Sequence, residues 1–195
     1  AKKILIENMD KYNTEKQNNL LAIKNIQINF LNMEESIMDS ISNIALRIPK
    51  NNFLYNDLLD IQTILLVFKD EHELLEQFSK VQLLIFQNKR TQAINRLFDI
   101  YVKTDNNLIL KDFIIHQISY LLLLKGNIND ALSYLEHISH ETIFSEFAYI
   151  LKAEIFDYII NDKKNAVDLY LDFLNKYPLS IFYDDIRIRL RNLAS

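Results

Sequence analysis

The sequence predicts an all-α protein built from stacked helix hairpins, and three observations carry that prediction. The first is a repeat. A small residue followed by apolar residues one, four and seven positions later occurs three times: Ala93 with Ile94, Leu97 and Ile100; Ala131 with Leu132, Leu135 and Ile138; and Ala166 with Val167, Tyr170 and Phe173. The anchors are 38 and 35 residues apart. A lone hairpin cannot bury its own apolar stripe, so a period of this length marks units that stack and share one core. The second observation is turn chemistry. One Gly and two Pro in 195 residues leave little material for tight β-hairpin turns, and Asn and Asp must supply the bends. The third is balance: 49% hydrophobic and 25% charged residues are enough to bury a sizeable core and place the chain outside the disordered class.

Helices are expected at 2–12, 15–31, 34–48 and 54–68, with loops near 50–53 and 104–107. Asn32 and Glu35 form a capping-box pair, and Ile37, Ile41, Ile44 and Ile48 make an apolar stripe that ends at Pro49. Leu58, Ile61, Leu65 and Phe68 mark the next helix. These first 69 residues do not align with the repeat columns and read as degenerate repeats. A unit at 71–103 opens with Asp70 and Glu73 in capping-box spacing, bends near Asn88 and continues as a helix from Thr91 to Val102. The unit at 109–139 is the clearest. Its first helix ends at Lys125 and Gly126, where the only glycine suits a left-handed closing residue. Asn127 then caps a helix from Ile128 to Ile138. Ser119 and Ala131 are small enough to let the paired helices approach closely. The unit at 142–178 carries Phe147, Ile150, Leu151 and Ile155 on one helix and the Ala166 stripe on the other, and Pro178 stops it. Ser180 caps a final helix, 181–193, with Phe182, Ile186, Leu190 and Leu193 on one face and Asp185 within reach of Arg189 on the other.

At Gly126, Asn127, Ala131 and Leu135, and again at Ala166, Tyr170 and Pro178, the chain resembles the tetratricopeptide repeat family. From Leu83 to Lys89 and from Asp162 to Leu193 it is similar to the C-terminal part of bacterial proteins with many such repeats. Residues 70–195 carry the resemblance. Departures are the absence of Trp, glycine in a single turn and Glu154 at a position where a small residue is usual. The resemblance implies a right-handed α-α superhelix, a solenoid of antiparallel hairpins with a C-terminal capping helix, whose first helices line a concave surface for an extended peptide or a partner helix. Projected onto this chain, that surface is Phe113, His116, Tyr120 and Leu123 in one repeat and Ala148, Leu151, Ile155 and Tyr158 in the next. The Lys/Asn/Arg set with which chaperone-binding members hold a terminal carboxylate is missing from these positions.

Other chemistries find little support. With no Cys, thiol catalysis, disulfides and sulfur-ligated metals are excluded. A single Gly excludes a glycine-rich phosphate loop, and no Ser sits in a nucleophile elbow. His137 and His140 are three apart with Ile138 after the first, whereas a zincin needs a four-residue step with Glu there; a helix C-terminus accounts for both. His72 and His116 are isolated. The pairs Asp184/Asp185 and Glu34/Glu35 sit in first helical turns, where acids offset the dipole. No catalytic residue, metal or cofactor is expected. A net charge of −4 with scattered Lys and Arg argues against nucleic acid. No membrane span is expected, since the longest apolar run, Ile118 to Leu124, is broken by Ser119 and Tyr120. Residues 1–30 lack the order of a signal peptide, and the expectation is a soluble chain of either the cytoplasm or the periplasm. Most of Tyr120, Tyr134, Tyr149, Tyr158, Tyr170, Tyr177 and Tyr183 are expected in core and inter-repeat packing, with Tyr120 and Tyr158 as candidate anchors for a partner. Arg187, Arg189 and Arg191 read as a solvated cap face or a contact for an acidic partner. The expected function is a non-enzymatic scaffold that binds protein or peptide through its concave face. The rival readings are a purely structural segment of a longer solenoid with its groove filled in cis and, behind both, a metal-dependent hydrolase using His137 and His140.

Overall fold

The computed structural model describes residues 15–33, 37–46, 48, 54–104 and 107–194. The expected helix at 2–12, the Glu35 half of one capping box and the loop at 50–53 lie outside these. The described residues form ten helices that pack mostly with their sequence neighbours. They fall into two compact units, one ending at Arg96 and one beginning at Leu97.

In the first unit, α1 (Glu15–Leu31) packs against α2 (Ile37–Ala45), α3 (Leu54–Val67) and α4 (His72–Phe86). Its core is aliphatic with three phenylalanines among the described residues: Ile23, Ile26, Phe30, Ile37, Ile41, Leu58, Phe68, Phe78 and Val81 are all buried, and Phe68 and Phe78 meet with ring centroids 5.0 Å apart. Three of the four stripe isoleucines, Ile37, Ile41 and Ile48, are buried, and Ile44 is half-buried. The capping box expected at Asp70 and Glu73 does not form. Glu71 takes the N-cap position of α4 without a side-chain capping bond, and Glu73 instead accepts from Gln77 Nε2 at 3.2 Å. One residue of slippage is enough, because a capping side chain must stand at the N-cap itself.

The chain continues through α5 (Arg90–Tyr101). The second unit then contains α6 (Leu108–Leu124), α7 (Ile128–Leu135), α8 (Phe144–Glu154), α9 (Lys163–Lys176) and α10 (Tyr183–Ala194). Asn107 caps α6 by accepting from Leu110 N at 3.0 Å, and Asp162 caps α9 by accepting from Asn165 N at 3.1 Å. Asn127 occupies the N-cap of α7 but makes no capping bond; its amide leans toward Asp130 at 3.4 Å. That helix stops at Leu135, three residues before the expected Ile138, because buried Asp112 takes over the backbone beyond it. Both Asp112 oxygens accept from Ser139 N, at 3.1 and 3.2 Å, and Oδ2 also accepts the Thr142 hydroxyl at 2.6 Å. α6 packs on α7 and α8, α8 on α9, and α9 on α10.

One geometric rule governs the hairpin turns. The only left-handed residues after residue 80 of the described chain are Asn88 (φ 59°), Gly126 (φ 82°) and Asn161 (φ 60°). Each stands five residues before a repeat alanine, Ala93, Ala131 or Ala166, and all three alanines are fully buried. In the first two turns the next N–H reaches back five residues: Lys89 N donates to Leu84 O at 2.9 Å and Asn127 N to Leu122 O at 3.0 Å. This 6→1 bond with a left-handed residue is the Schellman closure of a helix. Asn pays the left-handed cost with its short polar side chain, whereas Gly126 pays none. Space around Gly126 is open, with nothing within 4 Å of an added Cβ. Gly126→Ala is therefore expected to cost about 1 kcal/mol through backbone strain alone, and Asn88→Gly close to nothing; urea melts of the two variants check this ordering.

The third turn differs. After Glu154 the helix continues as a π-helical turn, Ile155–Ile160, and Asp162 N donates to Phe156 O at 2.8 Å, a reach of six residues. A π turn accommodates one extra residue within a helix and rotates the side chains that follow. Here it carries Asp157 inward, to 6% exposure.

Candidate functional site

The first helices of successive hairpins, α6 and α8, lie side by side. Phe113 meets Phe144 at 5.5 Å and His116 meets Phe147 at 6.1 Å between ring centroids. Both pairs are separated by 31 residues, so the helices run parallel. α10 continues the row. Phe147 meets Phe182 at 5.7 Å, and Arg189 reaches Asp157 with Nε and Nη2, each at 2.6 Å.

The residues expected on the concave surface divide by exposure. Phe113 (5%) and Ile155 (0%) are core residues, as is Ala148, and they support the face without presenting surface to it. His116, Leu123 and Leu151 are half-buried. Tyr120 (47%) and Tyr158 (59%) are exposed. His116 sits against Phe144 and Phe147, and burial pulls its imidazole down to about 4, so it is neutral at physiological pH and offers no charge. The row therefore presents two exposed phenols, half-buried aliphatic side chains and a neutral imidazole.

Arg189 does not pair with Asp185, four residues away on its own helix. The fork of its guanidinium spans both oxygens of Asp157, whose side chain is 2% exposed, and Tyr170 adds its hydroxyl to Asp157 Oδ2 at 3.2 Å. A buried carboxylate attracts the one cation that satisfies both its oxygens more strongly than an exposed one does. Arg189 and Tyr170 hold the Asp157 carboxyl below the usual carboxylate range. The guanidinium also lies 4.6 Å from the centroid of the Tyr158 ring. Sequence reasoning missed this centre, although an aspartate inside the run Ile155–Ile160 was its visible signal.

The two histidines weighed as metal ligands are engaged locally. His137 Nδ1 is 2.8 Å from Ser133 O, and the His140 ring lies against Tyr149. Among the described residues no group of three His, Asp or Glu is gathered as a metal would require. Beside His140, a pocket of about 40 Å³ is lined by Glu136, Ser145, Tyr149 and Lys152 among others. Its Lys152 is already bonded to Glu136 at 2.6 Å, and its volume suits a few waters and no metabolite. Among the described residues no helix is long and apolar enough to cross a membrane.

No family model, curated protein or solved structure matches the chain.

Proposed function

We propose that the chain is a non-enzymatic scaffold of the tetratricopeptide kind, whose hairpins from Asn88 onward build a right-handed superhelix and bind an extended peptide or partner helix along α6, α8 and α10. The observation that supports this most is the parallel row itself, with Tyr120 and Tyr158 as exposed aromatics on a bed of half-buried aliphatic side chains. Large amphipathic rings at the centre of an apolar strip are the usual anchors of protein recognition. The partner is a protein segment that presents apolar side chains.

The test is capture of partners on the tagged chain from its host, followed by the affinity of a captured protein for purified variants. Tyr120→Ala with Tyr158→Ala is expected to weaken binding by about tenfold or more while the far-ultraviolet circular dichroism stays unchanged. Unchanged affinity in a folded double variant would remove the concave face from consideration.

A second reading has one observation in its favour. The outer side of α10 is mostly polar, with Asp184, Asp185, Arg187, Arg191 and Asn192 exposed around a single exposed apolar residue, Ile188, as suits the end of a stack. On that reading the unit closes a longer solenoid and its groove is filled in cis. A purified chain that retains no partner and rejects all peptides would favour it.

A further inference from the structure

The helices of the second unit do not all begin in the same way. α6 and α9 carry their own capping residues, Asn107 and Asp162. α8 and α10 start from apolar positions: Ile143 stands at the N-cap of α8 without a side-chain capping bond, and Phe182 immediately precedes α10. An uncapped entry leaves backbone N–H groups without partners. Each of these two connectors is instead bonded by the preceding helix of the row, at two points three residues apart. α6 supplies Asp112, which accepts from Ser139 N and from the Thr142 hydroxyl. α8 supplies the adjacent Ser145 and Glu146: Ser145 bonds the Tyr177 hydroxyl, and Glu146 Oε2 accepts the Ser180 hydroxyl at 2.6 Å. In both connectors a serine also turns the backbone, Ser139 Oγ accepting from Glu141 N at 3.1 Å and Ser180 Oγ from Phe182 N at 3.2 Å. Asp112 and Glu146 are 34 residues apart, the same step that separates the buried small residues Ser119 and Ala153. The two acids therefore hold equivalent places in successive hairpins.

We propose that Asp112 and Glu146 are the fixed points of a conformational device, a clasp through which each first helix sets the entry of the next, so that α8 is aligned from α6 and α10 from α8. A carboxylate accepts hydrogen bonds more strongly than a neutral oxygen does, and such bonds fix a direction where apolar burial does not. The two connectors differ in length, eight residues at 136–143 and six at 177–182, yet the clasped span is three residues in each. Alignment is thus independent of the slack in the connector. Because the coupling runs only between neighbours, opening one clasp frees one helix entry and leaves the other closed.

Amide hydrogen exchange of the full chain, followed residue by residue by nuclear magnetic resonance, tests it. Asp112→Asn keeps the shape of the side chain and replaces one acceptor oxygen by a donor. It is expected to quicken exchange at Ser139, Glu141 and Ser145 by about tenfold or more, with Ser180, Phe182 and Tyr183 unchanged. Glu146→Ala and Ser180→Ala should each do the reverse, quickening Phe182 and Tyr183 alone, and the double variant should quicken Phe182 no more than Ser180→Ala does. The amides of Asn127 and Asp162, which close the hairpin turns, should stay within about twofold of wild type throughout. Quickening spread evenly over both connectors and both turns would make the acids ordinary stabilising residues and overturn the proposal. Unchanged connector amides in a folded variant, or effects that multiply in the double variant, overturn it equally. Should Asp112→Asn fail to fold, the variants at Glu146 and Ser180, which are half-buried, decide the matter by the same criteria.

Discussion

Phe173→Ala is expected to destabilise the second unit by about 4 kcal/mol, the largest loss for any single truncation on α9. Phe173 is fully buried in a cluster with Ala153, Ala166, Tyr170 and Ile186, with Tyr149, Phe156, Tyr177 and Leu190 among the side chains packed around it. Its ring meets Tyr177 at 5.3 Å. Tyr177 is tied in turn to Ser145 by a hydroxyl–hydroxyl bond. The residue therefore joins α8, α9 and the turn into α10, and truncation removes both transfer energy and the contacts of a cavity that fixed helices cannot collapse. Two positions away, Leu171 is 44% exposed on the other side of the same helix. Leu171→Ala should stay within about 0.5 kcal/mol of wild type. Urea denaturation of both variants, followed by circular dichroism, decides the matter, and similar losses in the two would mean that α9 is not seated as described.

The second large effect is Arg189→Ala, expected to cost about 2–3 kcal/mol. Breaking a buried pair by removing one partner leaves the other charge uncompensated; because the Arg189 side chain keeps 32% of its exposure, water can partly replace it and the lower end of that range applies. The paired variant Asp157→Leu with Arg189→Met should recover most of the loss, since an apolar pair of similar volume does not need ionic satisfaction. The pH dependence has a definite sign. The Asp157 carboxyl is held below its ordinary value in the folded chain, so the unfolded chain binds its proton first as pH falls. The stabilisation is thus fully present above about pH 4, near the unfolded value, and is lost as pH drops further through the depressed folded value. The stability difference between wild type and Asp157→Asn with Arg189→Gln should be flat from pH 5 to 7 and shrink below about pH 4. A difference that grows on acidification would contradict the pairing.

The features legible in the sequence were those set by neighbours a few residues apart. Ala93, Ala131 and Ala166 announced the hairpins because a close helix approach demands a small residue. Gly126 and the bend near Asn88 were visible because few residues tolerate a left-handed backbone. The helices at 15–31 and 54–68 were placed to within a residue, the second of them from its stripe of Leu58, Ile61, Leu65 and Phe68. What escaped was long-range. Arg189 looked served by Asp185 four positions away, but its partner is 32 residues distant and becomes reachable only through a π turn that no local pattern foretells. Asp112 carried no signal in the sequence, yet it binds the backbone of Ser139, 27 residues away, beyond the end of a different helix. Of the candidate face, Tyr120 and Tyr158 emerged exposed as the anchor reading required, while Phe113 and Ile155 turned inward. Helical periodicity alone places all four on comparable stripes; the packing of α8 against its neighbours separates them.

The five-residue step from each left-handed residue to its alanine is the same in all three turns, although the turns themselves are 38 and 35 residues apart. Most of the variation in unit length is therefore absorbed elsewhere, chiefly in the second helices and the connectors that follow them. The chain behaves as a string of rigid elbows joined by adjustable spacers. The connectors are therefore where a change of length is expected to be tolerated. An insertion beside Lys103 or Ile143 changes only how far one elbow stands from the next, whereas the same insertion between Gly126 and Ala131 destroys an elbow outright.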